Sequence, residues 1–300
     1  MSLYGDLCKL CDKLGCEYLT DAVLKDYTSF KIGGKADLMI FPDTTEKLSA
    51  ILENANKNNI KIFVLGKGSN LLVGDDGVNA AVINTCKLNS IELIEDTVIK
   101  CECGTSLSRL CRFALENSLS GLEFAFGIPG SAGGAAYMNA GAYGGEMKDV
   151  LISCEHINPD GTLSSYNGNE LSLGYRHSAY SDNDLIITSL TLKLTKGRKE
   201  DIKSKMDELI AKRKEKQPLE FPSAGSTFKR PEGYFAGALI EQCGLKGYTC
   251  GGAQVSTKHA GFVVNIGSAS ARDVLNVIEH CRKIVFEKTG VMLEPEVKII

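Results

Sequence analysis

The chain has 300 residues, of which 43% are hydrophobic and 24% are charged, and its formal net charge is −3. The length suggests about two domains, or three small ones, and the composition is typical of a soluble globular protein with an ample core. These values disfavour nucleic acid or an anionic membrane surface as a partner, and no apolar run approaches the ~20 residues that span a bilayer. Because the N-terminus lacks a hydrophobic signal region, we expect a cytoplasmic location and no membrane insertion.

The first third of the sequence predicts alternating strands and helices. Leu7, Leu10 and Leu14 recur at helical spacing, and residues 43–46 predict a capping box at the start of a second helix. The apolar face of that helix consists of Leu48, Ile51, Leu52 and Ala55. Strands over residues 36–41 and 60–65 would complete a β-α-β unit, and residues 78–83 predict another strand.

A loop over residues 66–77 follows the strand at 60–65. Successive backbone N–H groups in the turn from Gly66 to Asn70 can form a concave nest that binds an anion. The loop is similar to a dinucleotide-binding fingerprint, but Leu71 stands in place of the third glycine. Residues 74–77 also prevent the helix that a Rossmann site needs. We therefore interpret the loop as a phosphate-binding loop of another kind.

Residues 121–146 contain eight glycines and neither lysine nor arginine. Before them, residues 91–103 predict a strand in two pieces, and Thr105 is expected to cap a helix. The buried face of that helix would be Leu107, Leu110, Cys111 and Ala114. Glycine allows a backbone to approach a ligand closely, although a tightly packed turn region is the alternative. With two such loops, a dinucleotide cofactor is the leading interpretation.

The second half predicts short strands over residues 154–157, 162–166 and 185–194. Residues 196–216 hold nine basic and five acidic side chains around an apolar stripe, which predicts a surface helix that opens a further unit. A last helix over about 271–288 should end at Gly290 and lead into a strand over 291–300. Alternation on that strand places Val291, Leu293, Val297 and Ile299 on one face, with Glu294 and Glu296 on the other.

Eleven cysteines, an odd number, stand in this chain. Neither the group Cys8, Cys11 and Cys16 nor the pair Cys101 and Cys103 has the paired spacing of a metal site. The four histidines are scattered, and a reducing cytosol keeps thiols free. We therefore expect buried free thiols and no metal.

Eight motifs together resemble one family, the UDP-N-acetylenolpyruvoylglucosamine reductases. The resemblance covers nearly the whole chain, and the order of the motifs makes it specific. They lie at residues 27–34, 65–72, 127–134, 139–144, 174–178, 224–231, 239–246 and 293–297. The short stretch at 232–237 is similar to the short-form branch of this family. Arg230 stands where asparagine is commoner, and His259 where some members have glutamine.

The resemblance implies an α+β fold: a two-subdomain FAD-binding fold of the vanillyl-alcohol-oxidase (PCMH) type, plus a C-terminal α+β substrate-binding domain. The first FAD-binding subdomain would be residues 1–86, joined by the strand at 291–300. The second would be residues 87–196, and the substrate-binding domain residues 197–290. The resemblance also implies a function. The chain would use NADPH and non-covalently bound FAD to reduce UDP-N-acetylglucosamine enolpyruvate, a step of peptidoglycan synthesis.

The matching motifs also imply roles for individual residues of this chain. The resemblance implies that FAD is bound by Gly66, Lys67, Gly68, Ser69, Asn70, Gly127, Ile128, Pro129, Gly130, Ser131, Gly133, Gly134, Asn139, Gly141 and Ala142. Substrate contacts would come from Tyr143, Tyr175, Lys216, Arg230 and His259. Arg176 and Glu296 would stabilise an enolic intermediate, with Ser226 as the general acid.

Two other functions stay open at this point. One is an FAD-dependent oxidase of the same cofactor-binding fold that acts on a sugar or an alcohol. The other is a non-catalytic nucleotide-binding module, in which Arg176, Ser226 and Glu296 are incidental. The sequence does not decide the oligomeric state.

Overall fold

The computed structural model describes residues 4–300. The helices in these residues are α1 (Gly5–Leu14), α2 (Thr45–Lys57), α3 (Leu107–Glu116), α4 (Ala132–Tyr137), α5 (Lys199–Lys216), α6 (Ala236–Gln242) and α7 (Ala271–Thr289). The strands are β1 (Glu17–Val23), β2 (Lys35–Phe41), β3 (Ile62–Leu65), β4 (Leu71–Leu72), β5 (Val78–Asn84), β6 (Ile91–Glu95), β7 (Val98–Glu102), β8 (Leu119–Ser120), β9 (Gly141–Ala142), β10 (Gly145–Glu146), β11 (Leu151–Ile157), β12 (Leu163–Asn167), β13 (Ile186–Lys193), β14 (Thr195–Lys196), β15 (Thr249–Cys250), β16 (Ala253–Val255), β17 (Val263–Asn265) and β18 (Lys298–Ile299).

The chain forms two compact units. Unit 1 comprises Met1–Asp21, Asp37–Lys67 and Asn79–Lys212, and unit 2 comprises Ala22–Ala36, Gly68–Val78 and Arg213–Ile300. The division into two FAD-binding subdomains and a substrate-binding domain stays a prediction.

Unit 1 contains a five-stranded antiparallel sheet in the order β12-β11-β13-β7-β6. Leu190 in its central strand pairs with Cys154 on one side and with Cys101 on the other. Most of a four-stranded sheet, in the order β1-β2-β5-β3, also belongs to this unit. The predicted β-α-β unit is present, with β5 lying between its two strands.

Unit 2 contains a three-stranded sheet in the order β15-β16-β17, and helix α7 packs against all three strands. The first turn of α7 is anchored by Asp75, whose carboxylate accepts hydrogen bonds from the N–H groups of Ala271 (2.7 Å) and Arg272 (3.2 Å). Ser270 and Asp273 add a capping box. An acidic group at this position also complements the positive end of the helix dipole.

The apolar faces predicted for the helices are confirmed, but two caps are wrong by one residue. Thr44, and not Asp43, is the N-cap of α2, so Lys47 occupies the third helical position and no capping box forms. Ser106 caps α3 by accepting the N–H of Arg109, whereas the Thr105 hydroxyl donates to the carbonyl of Ser90. In both cases two adjacent side chains can serve as caps, Asp43 and Thr44 before α2 and Thr105 and Ser106 before α3, and tertiary contacts choose between them.

The predicted strand at 291–300 is mostly wrong. Only Lys298 and Ile299 form a strand, which pairs in parallel with β4. Leu293 and Val297 are buried as expected, but Ile299 is 48% exposed. Pro295 lacks an N–H, and the segment instead makes an isolated bridge between Pro295 and Phe228.

All eleven cysteines are free thiols, and eight of them are buried, as expected. Between residues 4 and 300, no three His, Cys, Asp or Glu side chains cluster closely enough to hold a metal ion. No helix in the same residues is long and apolar enough to cross a membrane.

Two histidines in unit 1 have pKa values shifted in opposite directions. Burial lowers the pKa of His156, whose Nδ1 lies 3.0 Å from the Tyr180 hydroxyl in an aromatic cluster with Tyr166. A hydrogen bond to Asp182, 2.8 Å away, raises the pKa of the exposed His177.

We expect the free energy of unfolding to fall as the pH drops below the ordinary histidine value of 6.5, because the unfolded chain then binds a proton that buried His156 resists. The titration of one such group changes the free energy of unfolding by at most about 1.4 kcal/mol per pH unit. His156→Gln should flatten this acidic limb in urea titrations between pH 5 and 7. His177→Gln is the matched control. The stabilisation that His177 gives the folded protein is present below pH 6.5 and is lost as the pH rises through the raised pKa of His177. An unchanged acidic limb in His156→Gln would contradict the assignment.

Candidate cofactor and active site

The loop from Gly66 to Asn70 turns sharply between β3 and β4. Within the described part of the chain, the backbone N–H groups of Lys67, Gly68 and Ser69 donate no hydrogen bond to another protein group. Successive N–H groups of this kind suit an anion such as a pyrophosphate. No helix follows the loop, as the sequence predicts.

The two glycine-rich segments meet in unit 1. A Cβ added to Gly66 would lie 2.6 Å from the Oγ of Ser131. Ser131 is the N-cap of α4, and its hydroxyl accepts the N–H of Gly134 at 3.3 Å. The absence of a side chain at Gly66 thus lets the loop lie directly against the start of α4.

Close packing within the protein explains several glycines that the sequence assigns to the cofactor. A Cβ on Gly133 would lie 2.7 Å from the Cβ of Cys103, and one on Gly141 would lie 2.8 Å from the Cβ of Glu146. Gly127 has a φ of +86°. The packed-turn alternative is therefore part of the explanation, and it operates together with ligand access.

The remaining residues predicted to bind FAD lie in the same stretch of unit 1. Ile128 and Gly130 have backbone hydrogen bonds to Ala125 and Leu107, respectively. Asn139 is fully buried. Pro129 and Gly134 lie between these residues along the chain, and Ala142 follows Asn139.

In unit 2, Gly68 is held by a segment to which the sequence assigned no role. Gly68 has a φ of +59°, and an added Cβ would lie 2.3 Å from the carbonyl oxygen of Tyr27. The N–H of Ser29 donates to the carbonyl of Gly68 at 3.1 Å, and the Ser29 hydroxyl donates to the carbonyl of Ser223 at 2.6 Å. The motif at 27–34 marks this segment in the sequence, but no local pattern predicts its contacts with Gly68 and Ser223.

Ser226 and Glu296 lie on neighbouring segments of unit 2. The N–H of Glu296 donates to the carbonyl of Thr227 at 2.8 Å, and the Asn70 side chain donates to the carbonyl of Glu296 at 3.2 Å. Ser226 is exposed, and among residues 4–300 no hydrogen bond to another protein group involves its hydroxyl. That hydroxyl is therefore available to a ligand.

Glu294 differs from Glu296 in its surroundings. Its side chain is 70% exposed and lies 3.4 Å from the ammonium group of Lys229. Glu296 is half-buried. A half-buried carboxyl group on the segment that pairs with Thr227, next to Ser226 in the chain, is the better candidate for an active-site group.

Arg176 lies in unit 1, on a turn closed by hydrogen bonds between Gly174 and His177. Its guanidinium carbon is 5.2 Å from the centre of the exposed Tyr175 ring. Arg176 and Tyr143 have φ values of +53° and +56°. Bulky residues rarely adopt this region, and such strain clusters at functional sites.

The other predicted substrate residues lie in unit 2. Lys216 is exposed at the end of α5, and the guanidinium carbon of Arg230 lies 4.4 Å from the centre of the Phe235 ring. His259 accepts the N–H of Gly261 through Nδ1 at 3.1 Å, and burial lowers its pKa. A neutral ring with Nδ1 as acceptor carries its proton on Nε2.

The available N–H groups at Lys67–Ser69 and the contact between Gly66 and Ser131 fit the flavin dinucleotide that the sequence implies. These residues would hold its pyrophosphate. The structure thus supports an FAD-binding role without the helix of a Rossmann site.

Two family models match the chain. One is described as "FAD binding domain" and matches residues 36–166. The other is described as "UDP-N-acetylenolpyruvoylglucosamine reductase, C-terminal domain" and matches residues 217–300.

Curated relatives are similar along almost the whole chain. The UDP-N-acetylenolpyruvoylglucosamine reductase of Syntrophomonas wolfei is 49% identical over 92% of this chain and 93% of its own length. The enzyme of the same name from Clostridium tetani is 46% identical over 100% of this chain and 98% of its own length.

Solved structures agree. The crystal structure of UDP-N-acetylenolpyruvylglucosamine reductase from Thermus caldophilus has a TM-score of 0.81 and 38% identity, and covers 95% of this chain and 98% of that chain. Phl p 4, a glucose oxidase, has a TM-score of 0.52 and 14% identity over 66% of this chain and 45% of that chain, which is a likeness in fold alone.

Proposed function

The chain belongs to the UDP-N-acetylenolpyruvoylglucosamine reductase family, and we propose that it reduces UDP-N-acetylglucosamine enolpyruvate to UDP-N-acetylmuramate with NADPH. It is a flavin oxidoreductase that acts on a C=C bond, and the predicted α+β FAD-binding fold is confirmed. The observation that carries the proposal is 49% identity over 92% of the chain. A cytoplasmic location and a role in peptidoglycan synthesis, and so in cell shape and division, belong to the proposal.

When bound, FAD would supply the transfer of reducing equivalents from NADPH to the enolpyruvyl group. Negative charge then develops on the substrate as an enolate, which needs cationic and hydrogen-bonding partners. We assign that stabilisation to Arg176 as the cation and to Glu296 as an acid that donates a hydrogen bond. The Ser226 hydroxyl, which is exposed and has no protein acceptor among residues 4–300, would donate the proton to the α-carbon.

The UDP part of the substrate would be held by Tyr143, Tyr175, Lys216, Arg230 and His259. Lys216 and Arg230 are exposed cations, which suit a diphosphate. The guanidinium carbon of Arg230 lies 4.4 Å from the centre of the Phe235 ring, a cation–π contact that would help to position this group.

Glu296→Gln should slow substrate reduction by about 10²-fold or more, because the half-buried acid assigned to the enolate is lost. Glu294→Gln is the matched control and should stay close to wild type, since Glu294 is exposed and paired with Lys229. Stopped-flow oxidation of the reduced enzyme by substrate measures both variants. If Glu294→Gln alone is slow, the carboxylate has been assigned to the wrong residue.

An anaerobic flavin spectrum tests the proposed function. NADPH should bleach the bound flavin, and UDP-N-acetylglucosamine enolpyruvate should restore it. Flavin that bleaches but does not recover would favour an oxidase acting on another substrate. A protein that is colourless and does not take up added FAD would overturn the cofactor as well as the reaction.

A further inference from the structure

The turn that carries Arg176 is short and strained. The N–H of Gly174 donates to the carbonyl of His177 at 3.0 Å, and the N–H of His177 donates back at 3.3 Å. Between them, Arg176 has a φ of +53°. Because such a conformation costs on the order of 1 kcal/mol or more for a bulky residue, contacts from outside the turn must hold it.

Asn139 supplies one such contact. Its Nδ2 donates to the carbonyl of Gly174 at 2.9 Å and to Oε2 of Glu146 at 2.7 Å. Its Oδ1 accepts the N–H of Lys148 at 2.9 Å, and the residue is fully buried. Both amide donors are therefore used within the protein, and neither is left for a cofactor.

Ser178 supplies a second contact to the same region. Its buried hydroxyl donates to the carbonyl of Tyr137, the last residue of α4, at 2.6 Å. The turn at 174–177 is thus attached on both sides to residues 137–139, which lie within the glycine-rich segment at 121–146.

We propose that Asn139 is a positioning residue for Arg176 and not a ligand of the cofactor. Its amide fixes the carbonyl at the start of the turn and so sets where the guanidinium group is presented. The catalytic consequence rests on the proposed function, because it assumes that Arg176 stabilises the enolate. The structural part, a turn held by Asn139, is independent of it.

Asn139→Gly is the decisive variant. Glycine tolerates the φ of +41° at this position, so the substitution removes the side-chain contacts without adding backbone strain. Asn139→Asp keeps the acceptor for Lys148 but loses donation to Gly174. Both variants should slow oxidation of the reduced enzyme by substrate about 10²-fold, the effect of misplacing a catalytic group by about 1 Å. Flavin reduction by NADPH and FAD affinity should stay close to wild type.

Trypsin gives a readout that does not depend on turnover. Cleavage after Arg176 should be faster in Asn139→Gly than in wild type, because the turn is released. Asn59→Gly is the matched control: Asn59 has a φ of +53° at the end of α2, and its replacement should change neither readout. A loss of FAD affinity in Asn139→Gly, followed by fluorescence titration, would show a cofactor ligand and overturn the proposal. Unchanged cleavage together with unchanged oxidation would overturn it too. If wild-type enzyme is not oxidised by the substrate, the proposed function fails, and proteolysis still decides the structural part.

Discussion

Ser226→Ala should leave flavin reduction by NADPH near the wild-type rate and slow oxidation of the reduced enzyme by substrate by about 10²- to 10⁴-fold. The reason is chemical: Ser226 is the proposed proton donor, and its hydroxyl is exposed with no protein acceptor among residues 4–300. A serine hydroxyl is a weak acid, so it can protonate only a strongly basic carbon centre. Its loss should therefore affect the step that protonates that centre and not the earlier reduction of the flavin. Stopped-flow measurement of the two half-reactions separates these effects.

Two further variants test whether the effect comes from the proton donor. Ser226→Cys replaces the hydroxyl by a thiol and should recover part of the lost rate. Ser268→Ala removes another exposed serine hydroxyl in unit 2 and should change neither half-reaction. If Ser226→Ala slows both half-reactions equally, the hydroxyl does not act as the proton donor and the loop itself matters.

Local patterns in the sequence predicted the helices well. The buried faces of α2, α3 and α7 follow from helical periodicity, because a helix that packs on a core needs one apolar stripe. Cap positions were wrong by one residue where two possible capping side chains are adjacent. The terminal strand failed at Pro295, since alternation alone does not show which partner supplies the hydrogen bonds.

The sequence proposed residues for the site but did not predict their contacts. Motifs indicated Gly66, Ser226 and Glu296, yet the links that arrange them join distant parts of the chain. Asn70 meets Glu296 across 226 positions, and Asn139 meets Gly174 across 35. Such pairs depend on the folded topology, and no local propensity encodes them. The structure accordingly changed the interpretation of Asn139 and of several glycines.

Gly66→Ala should weaken FAD binding by about 5- to 150-fold, because overpacking at a close contact commonly costs about 1–3 kcal/mol and here displaces the loop proposed to bind the pyrophosphate. The new Cβ would lie 2.6 Å from Ser131 Oγ, a distance that real side chains do not tolerate. Movement of Ser131 would also break the hydrogen bond that its hydroxyl accepts from the N–H of Gly134, which caps α4. Titration of the apoprotein with FAD measures the affinity, and thermal unfolding of the same samples measures the stability.

A second substitution, at Ser131, tests whether the close contact with its hydroxyl causes the loss of FAD affinity in Gly66→Ala. Ser131→Ala alone should lower stability by about 1 kcal/mol, the usual cost of an N-cap. In the double variant, the nearest remaining Ser131 atom would be its Cβ at 3.6 Å from the new methyl group, which is an ordinary contact. The double variant should therefore bind FAD more tightly than Gly66→Ala, although two side chains are changed. Additive losses would mean that Gly66 is needed for the ligand directly and not for the contact between the two glycine-rich segments.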